Sequence, residues 1–362
     1  MHTIREIAEA LGAEAAGDLD LTVSAAAEPG MAGPDDLAMA MSPKYAEGLA
    51  DGSARAAMLW VGADWRALGL KAAIFSPRPR MAMAGVSRIM DKGQGYASGI
   101  HPSAVIDPTA ELADDVAVGP LSVIGPRAKI GAGSIIGPHC VIGADVTLGT
   151  GAFLREMVSI GARAQVGDRF IAQPGARIGS DGFSFVTPEL SGPEAARQSM
   201  KDQGDSNAQS WLRINSLGAV RIGNDVEVGA NVTIDNGTVR DTEIGNGTKL
   251  DNQVHIGHNC RIGHDCLLCG QSGLSGSVDI GNYVVLGGQA GVVDNVFVGD
   301  RAIISGATKV LSNVPAGRVM MGYPAVRMDQ HTEIYKAQRR LPRILRDVDA
   351  LKKAVSKLGL SD

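Results

Sequence analysis

The stretch Leu250-Asp251-Asn252-Gln253-Val254-His255-Ile256-Gly257-His258-Asn259-Cys260-Arg261-Ile262-Gly263 decides the fold. Its aliphatics Leu250, Ile256 and Ile262 return every sixth position, and glycine follows two of them. An α-helix would repeat every 3.6 residues and an ordinary strand every two, so neither produces this spacing. Upstream the register runs without a slip through Ile100, Ile106, Leu112, Val118, Ile124 and so on to Ile178. It resumes at Ile222, Val228 and Ile234, skips to Ile244, and continues to Ile304. Six-residue repeats are the signature of a parallel β-helix, in which three short strands make one triangular coil and each points one aliphatic inward. The expectation is a mainly β protein built on a left-handed parallel β-helix of roughly nine or ten coils. Stacked coils pair like sheet strands, ~4.8 Å apart, so residues three hexads apart lie over one another. Glycine after the inward residue is expected to ease a corner whose backbone angles disfavour a Cβ.

Working outward, the hexads divide the chain. Residues 1–98 lack them and mix helix-like stretches (4–11, 43–51) with strand-like ones (56–61, 72–75), which predicts a small α/β domain. Residues 99–325 form the β-helix, interrupted at about 186–218 by a polar segment with Trp211 near its end. That segment must leave the prism as a loop, and long loops on rigid scaffolds often carry function. Residues 326–362 read as a C-terminal helical extension, with Leu341, Ile344, Leu345, Val348, Leu351 and Val355 at near-helical spacing. Pro342 is expected to mark a break or a helix start.

Hydrophobic residues at 44% supply a core, while aromatics at 4% and 47 glycines mean that it is built from small and branched side chains. A net charge of -5 argues against general nucleic-acid binding, which needs clustered cations. Arg5, Glu6, Glu9, Glu14, Asp18 and Asp20 deny the first residues the apolar run of a signal peptide. No stretch reaches the ~18 apolar residues of a membrane span, so a cytoplasmic location with Cys140, Cys260, Cys266 and Cys269 reduced is expected. Against the acidic total, residues 336–357 carry eight Lys or Arg and only Asp347 and Asp349. Such a run is either a solvated helix face or a docking surface for an acidic partner.

Three of the seven histidines, His255, His258 and His264, fall within ten residues. Because Ile256 and Ile262 point inward, His258 and His264, each two residues on, should project from the prism. A metal reading would combine these histidines with Cys266 and Cys269. Leu268 lies inward between the two cysteines, however, and places them near separate corners. General-base chemistry suits an outward imidazole on a rigid wall better, with Asp251 as a candidate to orient it. Gly276, three hexads beyond His258, falls in the same column, where its backbone N–H could face a developing oxyanion. An exposed surface histidine is the plainer alternative.

The motif Asp251-Asn252-x-x-x-Ile256-x-His258-Asn259 joins the segments Ile178-Gly179-Ser180-Asp181-Gly182-Phe183, Ile222-Gly223-x-x-Val226-x-Val228-Gly229-Ala230-Asn231 and Gly322-x-Pro324-Ala325. Together with the flanking domains, these resemble the UDP-3-O-acylglucosamine N-acyltransferase family over essentially the whole chain. The resemblance implies the N-acylation step of lipid A synthesis. In that step a 3-hydroxyacyl group moves from acyl carrier protein to the 2-amino group of UDP-3-O-(3-hydroxyacyl)-glucosamine. It implies His258 as general base and Gly276 as oxyanion donor, with no metal and no permanently bound cofactor, the phosphopantetheine arm of the carrier supplying the acyl group. It also implies a homotrimer with sites between subunits, and carrier docking on the tail through Arg339, Arg340 and Arg343. Tyr45 would stack on uracil, with Met39 and Ser42 where the family typically has Phe and Asn. Asn252, His255 and Phe183 are further candidates for holding substrate, and Asn295 stands where a second family histidine would. An acyl-CoA-dependent sugar acetyltransferase and a non-catalytic β-helix scaffold are the alternatives on the same fold.

Overall fold

The computed structural model describes residues 1–192, 194–195, 208–322 and 324–357. The chain divides into two compact units, Met1–Gly95 and Tyr96–Asp362.

In the first unit a five-stranded sheet runs in the order Glu14–Gly17, Ala72–Ser76, Ala56–Trp60, Asp36–Met39, Ala25–Ala27. Only the first pair is antiparallel. The helix Ile4–Leu11 opens on a reciprocal cap: Glu6 N donates to Thr3 Oγ1, and Thr3 N donates to the Glu6 carboxylate. Two otherwise unpaired donors are satisfied in this way. Ile4 and Ile7 of that helix, with Ala82 and Val86 of the helix Pro79–Met90, join Leu37, Met58 and Ile74 of the sheet in one core.

The second unit is a three-walled parallel prism, as the hexads require. Among the described residues wall I runs from Val105–Ile106 to Lys309–Val310, wall II from Glu111–Leu112 to Phe297–Val298, and wall III from Ala117–Val118 to Val319–Met320, with ten, nine and ten strands. Ile256 stacks on Leu274 and His255 on Gly273 in wall I, one coil apart. The inward residues form one continuous core, with Ile142, Leu148, Leu154, Ile256, Leu268 and Leu274 each at most 1% exposed. Burying each such side chain stabilises by about 1.5–3 kcal/mol. The outward faces differ. Wall II presents Glu111, Lys129, Gln165, Arg221, Glu243 and Arg261. Wall III presents Ile135, Phe153, Ile171, Leu267, Val285 and Ile303.

The hexad glycines serve a different purpose from the one expected. A Cβ on Gly257 would lie 2.9 Å from both Gly276 N and Leu274 O of the next coil, so glycine is needed for the close approach of stacked backbones. The left-handed conformation falls two residues later, on side-chain-bearing residues such as Gln253, Asn259 and Ser277 at φ +61°, +60° and +60°. Each costs roughly 1–2 kcal/mol. The cost is offset by a bond to the preceding coil, such as Ser277 N to His258 O at 2.8 Å.

The interruption leaves wall I after Arg177–Ser180, where the register shifts between Ile178 and Ser180. Phe185–Val186 then pairs antiparallel with Leu212–Arg213. Residues 193 and 196–207 of the expected 186–218 loop lie outside the described residues. Wall register is recovered at once, with Gln165 opposite Arg221. The tail forms one helix, Met328–Lys357, straight through Pro342. The expected break is absent because one missing N–H does not outweigh the remaining bonds of a 30-residue helix.

Candidate active site

His258 sits on the corner between walls I and II, just after the strand His255–Ile256. Ile256 is fully buried and anchors that strand, which leaves the ring two residues on to face outward. The ring is closely enclosed. A Cβ on Gly276 would come within 2.5 Å of its Cε1 and 2.7 Å of its Nε2. On another side, a Cβ on Gly182 would lie 2.7 Å from the His258 Cβ and 3.0 Å from its Cγ. The imidazole therefore packs against glycine backbone from the next coil and glycine backbone from the start of the insertion. His258 Nδ1 is 3.1 Å from Asn259 Nδ2. Asn259 is itself fixed, because its Oδ1 accepts from Thr238 N at 2.6 Å and its backbone N donates to Thr242 Oγ1 at 3.0 Å.

The start of the insertion is tied to this corner. Gly182 N donates to Ser216 Oγ at 2.9 Å, and Asn236 Nδ2 donates to Gly179 O at 3.0 Å. Arg213 links two of its side chains, lying 3.6 Å from the Asp181 carboxylate and 5.1 Å from the Phe185 ring centroid. Phe183 packs edge-on against Phe185 and is 85% exposed, an apolar surface held beside the His258 corner.

A carboxylate that the sequence reading did not single out completes the corner. Asp235 ends the strand Thr233–Asp235, one coil before His255–Ile256, and its side chain is 9% exposed. Its Oδ2 lies 4.0 Å from His255 Nε2, while His255 Nδ1 is 2.8 Å from Thr233 Oγ1. Burial pushes the Asp235 carboxyl up to about 6; the nearby His258 opposes the rise and Asp181 adds to it. Burial also pushes the His255 imidazole down, favouring its neutral form. The one sequence signal near this corner is the skip from Ile234 to Ile244 inside the second hexad block, which adds four residues to that coil without saying which side chain they bring in.

The other candidates are distributed elsewhere. Asp251 and Asn252 lie on a different corner, between walls III and I. There Asp251 accepts from Asn252 N at 2.7 Å and Gly270 N at 2.8 Å, and Asn252 Oδ1 accepts from Ala230 N at 2.7 Å. Both side chains cap backbone of their own prism, and the acid beside His258 is Asp235 rather than Asp251. Asn295, one coil beyond Gly276, donates its backbone N to Gly276 O at 3.3 Å and its amide to Asp294. In the first unit Tyr45 is 62% exposed on the short helix Pro43–Ala46, whose N-cap is Ser42. Met39 is only 9% exposed and belongs to the core, so it offers no face for stacking. Arg339, Arg340 and Arg343 are exposed on the tail helix; Arg343 lies 3.8 Å from Asp347. Among the described residues no group of three or more His, Cys, Asp or Glu is placed to hold a metal ion. Cys266 is buried and donates its thiol to Gly281 O, while Cys269 is half-exposed. No helix among the described residues is long and apolar enough to cross a membrane.

Comparison with known proteins shows relatives along the whole length of the chain. The family described as Bacterial transferase hexapeptide (six repeats) matches residues 121–156 and 241–276, the second of which contains both His258 and Gly276. A UDP-3-O-acylglucosamine N-acyltransferase of Ruegeria pomeroyi is 72% identical over 361 residues, covering 100% of this chain and 99% of that protein. One from Paracoccus denitrificans is 56% identical over 356 residues, covering 98% and 97%. Among solved structures, the Arabidopsis UDP-N-acetylglucosamine acyltransferase aligns with a TM-score of 0.53 at 23% identity, over 62% of this chain and 71% of that one, a likeness of fold. With identity this high along its whole length, the chain belongs to the UDP-3-O-acylglucosamine N-acyltransferase family.

Proposed function

We propose that the protein transfers a 3-hydroxyacyl group from acyl carrier protein to the 2-amino group of UDP-3-O-(3-hydroxyacyl)-glucosamine, the N-acylation step of lipid A synthesis, in the cytoplasm. The observation that carries this reading is the packing of His258 on Gly276 at a corner covered by Gly182. His258 takes a proton from the amine as the C–N bond forms at the thioester carbon. The Gly276 N–H faces the oxyanion that develops on the carbonyl oxygen. The thiol of the carrier's phosphopantetheine arm leaves with a proton, so no resident cofactor or metal is needed. Tyr45, an exposed aromatic of the first unit, is suited to stacking on the uracil.

The apolar outer face of wall III, with Leu267 at 48% and Ile303 at 43% exposed, suits packing of copies into a homotrimer. Asp251 and Asn252, on the corner bordering that wall, would then contribute to the site of a neighbouring copy. The basic tail with Arg339, Arg340 and Arg343 suits docking of an acidic carrier. The test is a transfer assay with acyl carrier protein and the UDP-sugar amine. His258→Ala should lose nearly all transfer while eluting at the size of the native assembly. Wild-type turnover in that variant would end the general-base assignment, and preference for acyl-CoA over the carrier would change the donor.

A further inference from the structure

We propose that Asp235 is a subsite for a primary ammonium, receiving the attacking nitrogen of the acyl acceptor while it is still protonated; this rests on the acyl-transfer reading above. The Asp235 side chain is nine-tenths buried, and among the described residues no donor hydrogen-bonds its carboxylate. A buried carboxylate in that condition is costly unless something supplies charge and donors. The groups facing it do not. His255, at 4.0 Å, is pushed toward its neutral form. Asp181 adds a second negative charge. The nearby cations are engaged elsewhere, Arg213 with Asp181 at 3.6 Å and Arg240 with Asn259 O at 2.8 Å. Cys260 on the next coil is held as a neutral thiol, since burial pushes it up to about 12. That leaves His258 and an incoming ligand. An ammonium brings one positive charge and three donors to the carboxylate, whereas a hydroxyl brings one donor and no charge.

The position also suits the proton inventory of the reaction. An ammonium has no lone pair and must lose a proton before it can attack. Asp235 takes that first proton, giving a carboxylic acid and a neutral amine; a carboxyl pushed up to about 6 by burial is closer in acidity to an amine than an ordinary aspartate is. The amine lone pair then forms the C–N bond at the thioester carbonyl. The second N–H proton passes to His258 and from there to the departing sulfur as the C–S bond breaks. Asp235 returns its proton to solvent when the amide leaves. Amine and thioester become amide and thiol, with no further reactant.

The experiment compares binding of two ligands to the full-length protein by calorimetry at neutral pH: 3-O-acylated UDP-glucosamine and its 2-hydroxy counterpart, 3-O-acylated UDP-glucose. Native protein should bind the amine roughly 10- to 100-fold more tightly, the range expected for a charge-assisted hydrogen bond. Asp235→Asn should bind the two nearly equally, with its KM for the amine raised by a similar factor and its KM for the acyl donor changed less than threefold. Equal binding by the native protein overturns the subsite while leaving the acceptor class intact. Retained preference in a folded Asp235→Asn protein overturns it as well. Binding of neither ligand removes the acyl-transfer reading on which the subsite rests. The native-protein comparison stands even if the variant does not fold.

Discussion

His258 and Gly276 are in contact across one coil of the prism: the space where a Gly276 Cβ would stand is 2.5 Å from the imidazole Cε1. Any side chain at 276 must therefore displace the ring. Gly276→Ala is expected to lower kcat/KM by about 10²- to 10³-fold through lost alignment of base and oxyanion donor. Gly182→Ala should act similarly from another side, since its Cβ would lie 2.7 Å from the His258 Cβ. Steady-state kinetics beside a thermal melt checks both; full activity in either would contradict the enclosure of the ring.

The distinction between glycines needed for close approach and residues needed for a left-handed corner is testable by stability. Gly257→Ala places a Cβ 2.9 Å from two backbone atoms of the next coil, and overpacking of this kind costs about 1–3 kcal/mol. Ala307, at φ +58°, already carries a side chain in the left-handed region. Ala307→Gly relieves that strain while loosening the unfolded chain, so it should change stability by less than about 1 kcal/mol. Denaturant melts of the two variants should separate clearly.

Asp235 makes a prediction about pH and stability. Its carboxyl is raised by burial to about 6, above its value in an unfolded chain. The neutral form is therefore favoured by folding: the associated stability is fully present below about pH 4 and is lost as pH rises through about 6. Asp235→Asn, which keeps the shape and removes the charge, should be more stable than native protein at pH 8, by up to roughly 3 kcal/mol. The advantage should disappear at pH 4. Urea titrations at the two pH values check the sign; a variant less stable than native protein at pH 8 contradicts it. A variant stabilised and yet impaired in substrate discrimination would mark Asp235 as a residue kept for chemistry at the expense of the fold.

Much of this was legible in the sequence because a hexad repeat is a ruler. Once Ile256 is known to point inward, His258 must point out, and three hexads place Gly276 over it. The ruler fails where the repeat does. Asp235 ends the last hexad before the skip from Ile234 to Ile244, so its proximity to His255 and His258 follows from no count. Asp251 misleads for a related reason: it is close to His258 in sequence but lies around the prism, on another corner, capping Gly270 N and Asn252 N. Gly182 could not have been placed against the ring, since nothing local dictates how an insertion folds back. Pro342 shows the limit of a single-residue rule when thirty residues agree on a helix.

The basic tail gives a prediction in solution. Replacing Arg339, Arg340 and Arg343 with alanine should weaken binding of acyl carrier protein and flatten its dependence on ionic strength. Arg343 already has a nearby acid, Asp347 at 3.8 Å, so Arg339 and Arg340 should carry more of the effect. Association measured at low and at high salt is the check. An unchanged affinity would leave the tail as a solvated face.

The recovery of register after the insertion, with Gln165 opposite Arg221 just as Thr147 is opposite Gln165, bears on how such a protein can change. Because each coil reads only its neighbours, a corner can accept tens of extra residues without the strands above or below being altered. Novelty can then be added at any floor of the stack, but only at a corner. The insertion begins at the corner that carries His258, two floors from it. A scaffold of this kind separates what must stay fixed from what can be revised, and specificity can be rewritten without redesigning the structure that supports it.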